Sequence, residues 1–169
     1  MTSEQQFVET SQSAGRSLSG EAQQLFDRGT AQLEQGCYEE ALACLRQAVD
    51  LAPEHAQLRS SLGVAIAHVE RNFEESRSLC ESAAKQEFFN PDLYLNLSRV
   101  YLKFGRRSEA LRYLRRGQMI DPGHSSIRHA LAQLGRRQTP ILPFLPRRHL
   151  MNRALGTARK LVMSPFVGR

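Results

Sequence analysis

Apolar and small side chains between Leu25 and Val49 recur at spacings of three, four and seven: Leu25, Gly29 and Leu33, then Tyr38, Ala41, Leu42, Leu45, Ala48 and Val49. Such spacing lays an apolar stripe on each of two helices. Gly36 breaks the pattern and supplies the turn, and Pro53 ends the second helix because it cannot continue the hydrogen-bond ladder. The pattern then returns. Gly29 is followed 34 residues later by Gly63 and 35 after that by Ser98, Ala41 by Ser76 and Ala110, and Ala48 by Ala83 and Gly117. Gly36 and Gly105 lie 69 apart, as do Pro53 and Pro122, which is one period of each length. A fixed period of this size marks an array of repeats. Each unit is a helix pair too short to bury its own stripe, so neighbours must cover it. The small residues at 29, 41 and 48 answer a separate need, since a large side chain would hold two closely crossing helices apart.

These positions resemble the tetratricopeptide repeat. The first repeat, about 22 to 55, carries the pattern in full with Leu25, Gly29, Gly36, Tyr38, Ala41, Leu45, Ala48 and Pro53. The third, about 91 to 124, carries Tyr94, Leu97, Ser98, Tyr101, Gly105, Ala110, Leu114, Gly117 and Pro122. The middle one, about 56 to 90, keeps Leu62, Gly63, Ile66, Phe73, Cys80 and Ala83 but departs elsewhere. Arg59 stands where a large apolar residue is usual, Glu70-Arg71-Asn72 replaces the turn glycine with one residue too many, and Phe88 takes the proline position. The resemblance implies an all-α, antiparallel helix-pair solenoid with a right-handed superhelix. Ile127, Ala130, Leu131 and Leu134 add a capping helix over about 125 to 135, so the repeat domain spans 21 to 135.

In this family the first helix of each pair lines a concave groove that holds a segment of another protein. Carried over position by position, the groove is expected to present Phe26, Thr30 and Leu33 from the first repeat and Val64 and His68 from the second. The third adds Leu95, Asn96, Arg99 and Lys103, and the capping helix His129. Some members clamp a C-terminal carboxylate with Lys and Asn of the first repeat. Phe26 and Thr30 occupy those positions here, so the clamp is absent and binding of chaperone tails is disfavoured. Arg99 and Lys103, one turn apart, remain able to attract an acidic side chain, or they are two solvated charges.

Charge changes the picture. The net value of +6 conceals 7 Lys and Arg against 14 Asp and Glu in residues 1 to 90, and 16 against 3 in residues 91 to 169. The halves have opposite sign, net −7 and +13. Arg106, Arg107, Arg112, Arg115 and Arg116 crowd the second helix of the third repeat. They form either a solvated convex face or a surface that neutralises phosphates, although Tyr113 is the one stacking aromatic among them.

The two ends fall outside the repeat. Residues 1 to 20 are rich in Ser, Gln and Thr and are expected to be disordered, with a short docking motif around Phe7 as the alternative. Residues 136 to 169 begin with Pro140, Pro143 and Pro146, spaced at the polyproline period, with Ile141, Leu142, Phe144 and Leu145 on the other faces. Beyond this strap, Leu150, Met151, Ala154, Leu155, Ala158, Leu161 and Val162 share one side of a short basic amphipathic helix. Its contact residues would be Arg147, Arg148, Leu150, Arg153, Leu155, Arg159 and Lys160. This tail caps the open end of the solenoid, binds a partner protein, or lies on an anionic membrane.

Chemistry is not visible. No paired carboxylates, nucleophile with its base, phosphate-cradling loop or metal spacing stands out, and the five histidines are dispersed. Cys37, Cys44 and Cys80 make neither a disulfide framework nor a zinc site. No apolar run approaches the length of a membrane span, and no signal peptide is evident, so a reduced, cytoplasmic protein is expected, with a peripheral place at a membrane as an option of the tail. The sequence therefore points to a non-catalytic adaptor that needs no cofactor, metal or small-molecule substrate and binds another protein in its groove. The competing reading is a peripheral binder of membrane or nucleic acid acting through the basic C-terminal region.

Overall fold

A computed structural model describes residues 18–135. Among them the chain forms seven helices and no strand: α1 (Gly20–Gln35), α2 (Tyr38–Leu51), α3 (Ala56–Val69), α4 (Phe73–Gln86), α5 (Pro91–Lys103), α6 (Arg107–Ile120) and α7 (Ser125–Gly135). Residues through Gln133 belong to one compact unit, and a second begins at Leu134. Helices α1 and α2, α3 and α4, and α5 and α6 pack as pairs. Each pair stacks on the next, α3 against α2 and α5 against both α3 and α4, which makes the expected helix-pair solenoid.

Local chemistry sets the helix starts. Ser19 accepts a hydrogen bond from the Ala22 N–H at 3.3 Å and so caps α1 a residue or two before the boundary expected from the sequence. Asn72 caps α4 by accepting from the Glu75 N–H at 3.3 Å, while its amide donates to the Glu75 carboxylate at 2.8 Å. Asn90 caps α5, with Pro91 in the first turn, where its missing N–H is not needed.

The small-residue columns lie where helices come closest. A methyl added to Gly29 would sit 2.7 Å from Leu45 Cγ, and one added to Gly117 would sit 2.7 Å from Ile127 Cδ1. Ile127 is fully buried, so α7 closes over the end of α6 through this contact. Helix α3 packs against α1, α2, α4 and α5, and ten of its fourteen residues are buried. That position explains its composition: with little solvent face it alternates small residues such as Ser60, Ser61, Gly63, Ala65 and Ala67 with Leu58, Leu62, Val64 and Ile66.

The departures of the middle repeat have physical counterparts. Arg59 is half-buried and reaches α4, donating to Ser82 Oγ at 3.4 Å and to Gln86 Oε1, while Gln86 Nε2 donates back to the Glu54 carbonyl at 2.8 Å. A polar latch thus replaces the usual apolar contact. The turn keeps the left-handed residue of its neighbours, with Arg71 at φ 54° matching Gly36 at 82° and Gly105 at 73°. The surplus residue is absorbed in the end of α3. The bond spanning five residues is made by Arg71 itself, to the Ile66 carbonyl at 3.1 Å, whereas Cys37 and Arg106, each one past its glycine, make it in the other repeats. Phe88, at the proline position, stands 54% exposed against the ring of Phe89.

Candidate functional site

Helices α1, α3, α5 and α7 present the concave side, and two adjoining cavities lie along it. The first, about 250 Å³, draws Phe26, Thr30 and Leu33 from α1, Gln57 and Ser61 from α3, and Leu95, Asn96 and Arg99 from α5. The second, about 470 Å³, opens between α5 and α7 over Leu95, Leu102 and Ala130, with His129 and Gln133 on its rim. Leu95, Arg99 and Ser126 border both. Arg99 therefore stands at the junction, with a mixed polar cavity on one side and a more apolar one on the other.

The polar groups have defined states. Arg99 donates from Nη1 to Asn96 Oδ1 at 3.3 Å, which orients the guanidinium and leaves the Asn96 amide protons for another acceptor. The Thr30 hydroxyl donates to the Phe26 carbonyl at 2.9 Å, so it offers a methyl and a lone pair rather than a donor. His129 and Gln133 are joined through their Nε2 atoms at 2.7 Å. His68 stacks on Tyr38 with ring centroids 3.8 Å apart. Burial, and then the positive charges of Lys103 and Arg99, push its pKa down to about 4, so it is neutral near pH 7. Its Nδ1 is buried without a hydrogen-bond partner.

Of the ten groove residues expected from the sequence, Phe26, Thr30, Leu33, Leu95, Asn96, Arg99 and His129 border the two cavities. His68 and Lys103 border neither, but Lys103 and Arg99 both act on His68 electrostatically. Val64 must be corrected. It is 3% exposed and packs with Ala67, Cys80, Leu97 and Tyr101, because α3 packs against four helices and has no free groove face at that position. The lining residues Ser125 and Ala130 were absent from the expected set. Their signal was weak, since α7 falls after the last full repeat. The tail contacts Arg147, Arg148, Leu150, Arg153, Leu155, Arg159 and Lys160 lie outside the described residues.

Among the described residues no three His, Cys, Asp or Glu side chains are grouped to hold a metal, and no helix is long and apolar enough to cross a membrane. Cys80 is enclosed. Its thiol donates to the Ser60 carbonyl at 3.3 Å, and burial pushes its pKa up to about 12.

This is an all-α array of helix pairs with a concave groove. Two tetratricopeptide repeat models match it, one over residues 26–88 and the other over 67–134, and together they span the array from α1 to α7. The chain belongs to the tetratricopeptide repeat family. No curated protein matches it in sequence. Among solved structures it is similar to the first TPR of Spaghetti (RPAP3) bound to the HSP90 peptide SRMEEVD, at 20% identity and a TM-score of 0.54, covering 69% of this chain and 92% of that one. It is also similar to the first TPR domain of human RPAP3, at 20% identity and 0.56, covering 68% and 90%. The TPR2B domain of yeast Sti1 in its pHsp70 complex matches at 21% identity and 0.55, covering 69% and 94%. At these identities the likeness establishes the fold.

Proposed function

We propose that this protein is a non-catalytic adaptor whose concave groove holds an extended or helical segment of a partner protein, joining that partner to a larger assembly. The carrying observation is the junction at Arg99, where the two cavities share Leu95 and Ser126. A partner segment laid along the groove would place a carboxylate at Arg99, within reach of the Asn96 amide, and a large apolar side chain over Leu95, Leu102 and Ala130. Lys103 adds positive charge on the same helix, one turn on. The similar domains bound to an HSP90 peptide and in a pHsp70 complex support a protein segment as the class of ligand.

The chain differs from a C-terminal carboxylate clamp in its first repeat. Phe26 brings a ring, and Thr30 spends its proton on its own helix. An acidic side chain within a segment, rather than a free chain end, is therefore the anion this groove favours.

The test is a peptide-display selection against the full chain, followed by titration of the selected peptides with free and amidated C-termini. Phe26→Ala with Arg99→Glu should abolish binding while the helical melting curve stays nearly unchanged, and amidation should have little effect. Undiminished binding by that double variant would remove the groove as the site.

A further inference from the structure

The arginines of α6 are held differently from those of the earlier repeats. On α2 and α4 they meet carboxylates, Arg46 with Glu70 and Arg77 with Glu74 at 2.7 Å and Glu81 at 3.4 Å. On the third repeat three of them meet rings without a salt bridge among the described residues, whereas Arg77 adds the Phe73 ring, 5.9 Å away, to its two carboxylates. Arg106 lies 3.9 Å from the centroid of Phe73, Arg112 5.2 Å from Tyr113, and Arg116 5.2 Å from Tyr94. Among the described residues Arg112, Arg115 and Arg116 pair with no carboxylate. The nearby Glu109 accepts from Ser108 Oγ at 2.6 Å, and this bond, with a smaller contribution from the charges of Arg106 and Arg112, holds its pKa below the usual carboxylate value. Stacking fixes a guanidinium plane and leaves its N–H edge free for an incoming anion.

An apolar end adjoins these cations. Gly117 lies against Tyr94 and Pro91, so the last turn of α6 is level with the loop before α5 that carries Phe88 and Phe89. Tyr94, beneath Arg116, donates its hydroxyl to the Phe88 carbonyl at 3.0 Å, which ties that loop in place. Phe88, Phe89 and Met119 are 54%, 73% and 83% exposed. Arg112, Arg115 and Met119, spaced by three and four, form one line along the helix.

We propose that the outer face of α6 is a second docking surface, which takes an acidic amphipathic helix of another protein. Carboxylates one turn apart on that helix would meet Arg112, Arg115 and Arg116, and apolar side chains at its end would cover Met119 and the Phe88–Phe89 pair. Charge complementarity and the matching helical spacing favour this occupant. A nucleic-acid duplex, whose bases are stacked within the helix, would leave Met119 and the two rings uncovered. An anionic bilayer that received the rings would press against Glu87, Asp92 and Asp121, which flank the same loop and helix ends.

The test uses the full chain and a fluorescent helical peptide of about sixteen residues, with Glu at the first, fourth and eighth positions and two Leu at the end. A scrambled peptide of equal composition is the control. Binding is expected for the ordered peptide and to weaken at least about tenfold in R112E/R115E, and by a smaller factor in R112K/R115K. It should be unaffected by R99E, which sets it apart from the groove. Among the described residues Arg115 touches no ring or carboxylate, so R115E alone should weaken binding several-fold without altering the melting curve, which guards against misfolding of the double variant. Equal binding of the scrambled peptide, loss on R99E, or displacement by phosphatidylserine vesicles or a single-stranded oligonucleotide would each overturn the proposal.

Discussion

Gly63 and Ser76 meet so closely that a methyl on Gly63 would lie 2.9 Å from the Ser76 carbonyl oxygen and 2.8 Å from Cys80 Sγ, one turn along the same helix. This contact clasps α3 to α4 at the centre of the array. The corresponding contact of the first repeat involves no backbone, because a methyl on Gly29 would meet the buried Leu45 side chain at Cγ and Cδ2, 2.7 and 3.0 Å away, which can shift more readily than a carbonyl. The two glycines should therefore differ under the same substitution. Gly63→Ala, pressing on backbone, should destabilise by about 2–3 kcal/mol, and Gly29→Ala by about 1 kcal/mol or less. Urea unfolding followed by circular dichroism gives the comparison, and equal losses would contradict it.

Arg71 is the one described residue other than glycine with a left-handed backbone, at φ 54°. A side chain there is strained, and its neighbours in the array use glycine. Arg71→Gly should raise stability by about 0.5–1 kcal/mol, visible as a Tm higher by a few degrees.

His68 makes stability depend on pH. Its pKa falls from 6.5 to about 4 through burial and the charges of Lys103 and Arg99, so the fold favours the neutral ring. The stability it contributes is full above pH 6.5 and declines as the pH drops toward 4, where the unfolded chain binds the proton more readily. His68→Gln should flatten the slope of Tm against pH in that window compared with the natural chain. Carboxylates titrate nearby in both proteins, so the difference between the two curves isolates the imidazole.

The thiols should separate by accessibility. Cys37 is exposed, whereas Cys44 and Cys80 are buried, and burial also pushes the Cys80 thiol up to about 12. A maleimide added to the native protein should label Cys37 alone within minutes. Cys80 should react at the rate of global unfolding, measured by mass spectrometry of digests.

The sequence by itself determined the architecture. Side-chain size at the small positions and the 34- and 35-residue periods are properties of the chain, and they force helices to pair and pairs to stack. It also supports an expectation for the groove, because residues such as Phe26, Leu33, Leu95 and Arg99, which border the two cavities, take their direction from a helical phase that a repeat pattern reveals. What the tertiary structure decided depends on neighbours. Val64 belongs to the core because four helices pack against α3, a fact that no property of α3 alone contains. The surplus residue before Asn72 read as a defect of the turn, yet Arg71 adopts the left-handed backbone and the end of α3 absorbs it. The run of arginines on α6 read as charge. Tyr113 is the chain neighbour of Arg112, but only packing brought Phe73 of α4 and Tyr94 of α5 beneath Arg106 and Arg116, since those rings come from other helices.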